Sequence, residues 1–156
     1  MRLRHLALAP ALILALAACS AGSSGATPGN QATTPAALPS ASGGIATIEV
    51  KLSDALRMEP AQLTVKAGQP VRFVVTNTGA NEHEFYLGNE AAQGAHEQEM
   101  MSMGGMSQDE PDGIVLKPGE TKELTHTFST AGAFIAGCHK TAHYGGGMKA
   151  AITVTG

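Results

Sequence analysis

From Ile45 onward the chain repeats one pattern, in which apolar and polar residues alternate over short runs that end at glycine or proline. Ile48, Val50 and Leu52 alternate with Thr47, Glu49 and Lys51, and Leu63 and Val65 alternate with Gln62, Thr64 and Lys66. A period of two puts every second side chain on one face, which is how a strand with one buried face reads. Ala67-Gly68-Gln69-Pro70 supplies a turn before Val71, Phe73 and Val75 resume the inward face, and Lys117-Pro118-Gly119 supplies another before Leu124, His126 and Phe128. Phe134, Ala136 and Cys138 share a face after Gly132, and Ala150, Ile152 and Val154 close the chain. Short strands punctuated in this way predict an all-β fold over residues 45–156, an antiparallel β-sandwich. The segment Glu90 to Met106 does not alternate; its first half reads as a short helix inserted between strands.

The residues ahead of this domain have a different character. Arg2 and Arg4 precede an apolar run from Leu6 to Ala18, shorter than the roughly 20 residues that span a bilayer but suited to the core of an export signal. Leu16-Ala17-Ala18-Cys19 resembles a bacterial lipobox, which implies cleavage after residue 18 and lipidation of Cys19. Residues 20–44 carry no charge and consist mostly of Ser, Thr, Ala, Gly and Pro, so they cannot bury enough surface to offset ordering and read, with Cys19, as a lipid-anchored flexible linker. As a coil this tether reaches roughly 25 to 30 Å. The expected location is therefore the extracytoplasmic face of a bacterial membrane, with the working domain held clear of it.

Charge narrows the partners. The net charge is −3 and no basic run occurs, which argues against nucleic acid, whose phosphates demand a Lys/Arg surface. Between Arg72 and Lys117 there is no Lys or Arg, while Glu82, Glu84, Glu90, Glu97, Glu99, Asp109, Glu110 and Asp112 are all acidic. That block is either a solvated surface or a field that attracts cations or a basic partner.

Two Cys cannot build the disulfide framework of a small secreted scaffold, whereas six His and seven Met are a generous supply of metal ligands. Cys138, His143 and Met148 lie five and five residues apart, and three consecutive glycines, Gly145 to Gly147, let that loop curl around one ion. A thiolate, imidazole and thioether in this order suggest copper in a plane of two His and one Cys with a weak axial Met, and His83 is the best candidate for the second imidazole. The competing reading is a buried, inert Cys138. His96, Met100 and Met103 fall at i, i+4 and i+7, with Met101 and Met106 close by, so a helix there offers either a second copper site or an apolar stripe packed on the sandwich. His126 reads as a core or rim histidine, and His139 as a surface one facing away from Cys138.

Met58-Glu59-Pro60 through Leu63, Val65 and Gly68 to Phe73 and Asn77, then His83, then Cys138, His143 and Met148, closely resembles the cupredoxins, the superfamily of plastocyanin and azurin. His83-Glu84-Phe85-Tyr86-Leu87-Gly88, the Met/His-bearing insertion and Asp109-Glu110-Pro111 look like the small extracytoplasmic cupredoxins associated with copper tolerance. The resemblance implies a Greek-key sandwich with one type 1 copper, used for single-electron transfer or copper handling rather than catalysis. The ligand set further predicts a backbone N–H on the Cys138 sulfur, with Glu84 and Phe85 around the ligands. A redox protein or a copper-trafficking protein is the implied partner of a monomeric chain. Thr141-Ala142 stand where many relatives carry Pro-Gly, and Ala136 where many carry an aromatic.

Overall fold

The computed structural model describes residues 44–156; the expected export signal, the Cys19 anchor and the linker up to residue 43 lie outside the described residues. Nine strands and one helix follow in the order β1 (Ala46–Ser53), β2 (Arg57–Glu59), β3 (Gln62–Lys66), β4 (Pro70–Asn77), β5 (His83–Gly88), α1 (Glu90–Ser102), β6 (Gly113–Leu116), β7 (Thr121–Thr127), β8 (Gly132–Gly137) and β9 (Lys149–Thr155). They form a four-stranded sheet, β2-β1-β4-β7, and a five-stranded sheet, β3-β9-β8-β5-β6. Among the described residues no helix is long and apolar enough to cross a membrane.

The two-sheet sandwich agrees with the alternation, but the sheets are mixed rather than purely antiparallel. β1 runs parallel to β4, pairing Ile48 with Phe73 and Val50 with Val75, and β3 runs parallel to β9, pairing Leu63 with Ile152. The physical reason is connectivity. Alternation reports which face of a strand is buried and is silent about its neighbour, and a chain that crosses between sheets, as between β2 and β3, can lay two strands side by side in the same direction.

The alternating residues make the core. Ile48, Val50, Leu52, Leu63, Val65, Val71, Phe73, Val75, Leu124, Phe128, Ala136, Cys138, Ala150, Ile152 and Val154 are all buried in one cluster. Phe73 from one sheet meets Phe85 from the other, with centroids 5.4 Å apart and planes tilted by 50°. β5 and β6 show no simple alternation because both their faces are covered: His83, Glu84 and Phe85 are buried in succession, as are all four residues of β6. A strand buried on two sides loses its period-two signature.

The helical insertion is longer than expected, 13 residues. Asn89 caps it, its side-chain oxygen accepting from the Ala92 N–H at 2.9 Å, and Gly104 and Gly105 end the following turn at φ +66° and +80°. α1 buries Gln93, His96 and Met100 against the outer face of β5 and β8. The acidic block is largely partnered: Lys140 holds Glu82 at 2.5 Å, Lys122 holds Asp109 at 2.8 Å, and His126, half-buried at the rim, meets Asp112 at 3.1 Å. Solvated, paired surface is thus the better description of these three carboxylates.

Because Phe73 is fully buried at the contact between the sheets, Phe73→Ala is expected to destabilise the protein by about 3 to 5 kcal/mol. Lys51→Ala, on the exposed side of β1, is expected to change stability by less than about 0.5 kcal/mol. Denaturant unfolding of the two variants measures both.

Candidate metal centre

His83, Cys138 and His143 converge at one end of the sandwich, with one ligand atom from each lying within 4.8 Å of the others. His83 opens β5 and is fully buried; Cys138 follows β8 and is fully buried; His143 sits on the connecting loop and is half-buried. The two imidazoles face each other through Nδ1 at 3.3 Å, and His143 Nδ1 is 3.4 Å from Cys138 Sγ. Met148, the fourth expected ligand, is fully buried at the end of the same loop.

Backbone hydrogen bonds shape that loop. The Cys138 N–H donates to the Met148 carbonyl at 3.1 Å and the Met148 N–H to the His143 carbonyl at 3.0 Å, while His143 N–H reaches the Lys140 carbonyl at 2.8 Å. The three glycines serve different needs. Gly147 takes φ +96°, whereas Gly146 leaves room for Leu56, whose Cδ1 would lie 2.5 Å from an added Cβ. Ala142 adopts φ +65°. This left-handed position costs an alanine about 1 to 2 kcal/mol, so the loop is held by its hydrogen bonds and not by local preference.

The loop before His83 is equally constrained. Asn77, fully buried, donates through Nδ2 to the carbonyls of Asn81 at 2.7 Å and Leu116 at 3.0 Å, and its Oδ1 accepts from the Gly79 N–H at 2.9 Å. Asp54, from the turn after β1, accepts from the N–H groups of Ala80 at 2.7 Å and Asn81 at 3.2 Å and meets His83 Nε2 at 3.0 Å. These bonds, the Ala80 N–H first, bring its carboxyl down to about 2, so it is an anion at neutral pH. Asp54 carries no sequence signal for this role, because 29 residues separate it from His83.

An anionic carboxylate can only accept, so His83 donates to it from Nε2, the tautomer of the neutral ring that turns the Nδ1 lone pair toward His143. Burial and the neighbouring His83 hold His143 below its ordinary range, which favours a neutral ring at His143. Two imidazole nitrogens beside a sulfur then surround a space that suits an electron-pair acceptor. Donors about 2.0 Å (nitrogen) and 2.3 Å (sulfur) from one ion lie about 3.3 to 3.7 Å apart for angles between tetrahedral and trigonal. The His83 Nδ1 to His143 Nδ1 and His143 Nδ1 to Cys138 Sγ spacings of 3.3 and 3.4 Å fall at the short end of that range, and thiol, imidazole and thioether are the donor types copper selects.

Burial pushes the Cys138 thiol up to about 11, against the pull of the Glu84 and Lys140 N–H groups. The Glu84 N–H donates to Cys138 Sγ at 3.3 Å, the sulfur contact expected of the ligand set. The Glu84 side chain is also buried, its Oε1 3.1 Å from His96 Nε2 and its Oε2 accepting from the His139 N–H at 3.0 Å. Phe85 is fully buried behind the centre.

Beneath α1 the structure departs from several expectations. His139 does face away from Cys138, but it is buried rather than on the surface: its Nε2 lies 2.6 Å from Gln93 Oε1, its Nδ1 pairs with Glu97, and its ring stacks on Tyr144 at 4.4 Å. The covering helix is what local alternation could not show. His96 stacks on Tyr86 at 3.9 Å and Met100 is buried, as their helical phase predicts, whereas Met103, expected on the same face, is exposed because α1 ends at Ser102 just before it, and Met101 and Met106 are exposed as well. The five residues considered for a second copper site are thereby divided between the interior and the surface.

A family described as a cupredoxin-like domain matches residues 10–154. The chain is 39% identical over 108 residues to the copper-resistant cuproprotein CopI of Rubrivivax gelatinosus, covering 69% of this chain and 66% of that one. To the CopI of Pseudomonas aeruginosa it is 32% identical over 136 residues, covering 69% and 75% respectively. The chain thus spans just under two thirds of the length of the Rubrivivax relative. Among solved structures it is similar to dithionite-reduced auracyanin from Roseiflexus castenholzii, at 27% identity and TM-score 0.63, and to auracyanin A, a blue copper protein of Chloroflexus aurantiacus, at 28% and 0.61. Each similarity covers 72% of this chain and the whole of the other. With two β-sheets closed over a His-Cys-His group that suits copper, this chain belongs to the cupredoxin-like family.

Proposed function

We propose that the chain holds one copper ion as a type 1 centre outside the cytoplasm and that its role is copper tolerance. The observation that carries this reading is the convergence of His83 Nδ1, Cys138 Sγ and His143 Nδ1 in a buried pocket. Met148 would be the weak axial ligand, from its place in the resemblance and its burial. Bound copper would supply a one-electron couple. The protein's own contribution is to hold both imidazole lone pairs inward, to keep the thiol dry, and to place the Glu84 N–H on the sulfur. A frame closed by backbone hydrogen bonds on both ligand loops changes little when the ion's charge changes. We read the site as binding and redox in character, without a catalytic role. The copper-resistant relatives favour tolerance, with a copper-trafficking protein as partner and an anchored, monomeric chain as the working form.

A second reading, single-electron carriage to a redox protein, is favoured by one observation: His143 alone of the three is half-exposed and offers an edge at the surface. A deletion strain separates the two. Sensitivity to added copper with unimpaired respiration supports tolerance; impaired respiration without copper sensitivity supports the carrier.

Copper-loaded protein is expected to show an intense visible thiolate charge-transfer band that Cys138→Ser abolishes; a band surviving that substitution overturns thiolate ligation. Because Cys138 must lose a proton that it binds up to about pH 11, copper affinity is expected to rise about tenfold per pH unit between pH 7 and 9. His143, held below its ordinary range, is already neutral there. Competition against a chelator of known pH dependence measures the slope, and Cys138→Ser is expected to flatten it.

A further inference from the structure

We infer that Asp54 is a positioning residue for the metal centre: its carboxylate selects the His83 tautomer that leaves Nδ1 free for the ion and favours the more highly charged of the ion's two states. The inference rests on the copper reading above.

The carboxylate is built in. Leu56 N–H closes the turn onto the Ser53 carbonyl at 3.0 Å, with Leu56 at φ +56°, and this places Asp54 over the loop before β5. Thr78 fastens that loop to β1, its N–H and its hydroxyl each donating to the Leu52 carbonyl at 2.8 Å. Asp54 Oδ2 accepts from Ala80 N–H, and Oδ1 accepts from Asn81 N–H and from His83 Nε2–H. Both oxygens are engaged, so the carboxylate is fixed in orientation. Gly79 is required beside it, because an added Cβ would collide with the Asp54 carboxylate and lie 3.0 Å from His83 Nε2. The same turn carries Leu56 against Gly146 in the other ligand loop, so one short segment braces both imidazole ligands.

A carboxylate accepting from a ligand imidazole fixes the ring's tautomer and raises its basicity, and loss of such a partner typically lowers metal affinity 10- to 100-fold. A fixed negative charge also attracts a divalent ion more than a monovalent one, so Cu(II) gains more than Cu(I). The Asp54 side chain is 38% exposed, and solvent screening limits the gain.

Asp54→Asn keeps an oxygen for His83 Nε2–H and removes the charge; Asp54→Ala removes both. Copper-loaded Asp54→Asn is expected to lose about tenfold more affinity for Cu(II) than for Cu(I), read as a rise of 59 mV in the one-electron potential. Its charge-transfer band is expected to persist. Gly79→Ala, which leaves Asp54 present but pushes it off Nε2, should move the potential the same way. In metal-free protein, nitrogen-15 spectra are expected to show His83 protonated on Nε2 in the wild type and in Asp54→Asn, and a mixture of tautomers in Asp54→Ala. An unchanged potential in Asp54→Asn and Gly79→Ala, or equal losses for both oxidation states, overturns the electrostatic role. Protonation of His83 on Nδ1 in the metal-free wild type overturns the positioning role even if that protein forms no copper band, an outcome that would itself sink only the copper reading.

Discussion

Glu84 ties the metal end of this molecule together. Its backbone N–H reaches the Cys138 sulfur, while its buried carboxylate holds the N–H of the residue after that cysteine and meets His96 on α1. One residue therefore couples β5, β8 and the inserted helix. A carboxylate this deep is costly unless every lone pair has a partner. α1 exists, in physical terms, to supply those partners and to exclude water from them. His96, Gln93 and Glu97 from the helix meet Glu84 and Tyr86 of β5 and His139 just past β8, and the rings of Tyr86, His96, His139 and Tyr144 pack in sequence. Tyr144 keeps its hydroxyl buried without a hydrogen-bond partner, the one side-chain group of this ring stack left so.

The two faces of β5 divide the work. His83, Phe85 and Leu87 look into the sandwich, where the core fixes them; Glu84 and Tyr86 look toward α1. The two residues that follow β8 repeat the division, with Cys138 inward and His139 outward. Alternation along β5 and its continuation just past β8 thus deliver an imidazole and a thiol to one interior and a polar network to the other side. His143 and Met148 arrive on a loop whose shape is imposed by its own backbone bonds, including a left-handed alanine that a glycine would occupy more easily.

Much of this was legible beforehand. Strands with one wet face declared themselves by alternation, and Ile48, Phe73, Ile152 and their partners went where the period placed them. The convergence of His83, Cys138 and His143 was legible because the chemistry of such donors is narrow and their order is distinctive. β5 and β6 were not, since covering both faces erases the period. Parallel pairing of β1 with β4 was not, since neighbour identity leaves no local trace. The burial of His139 depended on a helix 40 residues away in the chain, and the partnering of Glu82, Asp109 and Asp112 on Lys140, Lys122 and His126 brought to them by the fold.

The sequence by itself determined an all-β domain carrying a soft-metal ligand set, because residue type and short-range period are local properties that survive without coordinates. Only the tertiary structure decided which nitrogen of His83 faces the other ligands, since that depends on Asp54, a turn residue from the opposite sheet. Likewise only the fold decided that Glu84 and His139 are buried, because burial is set by what lies across space, and α1 and β8 meet there without any signature in the residues between them.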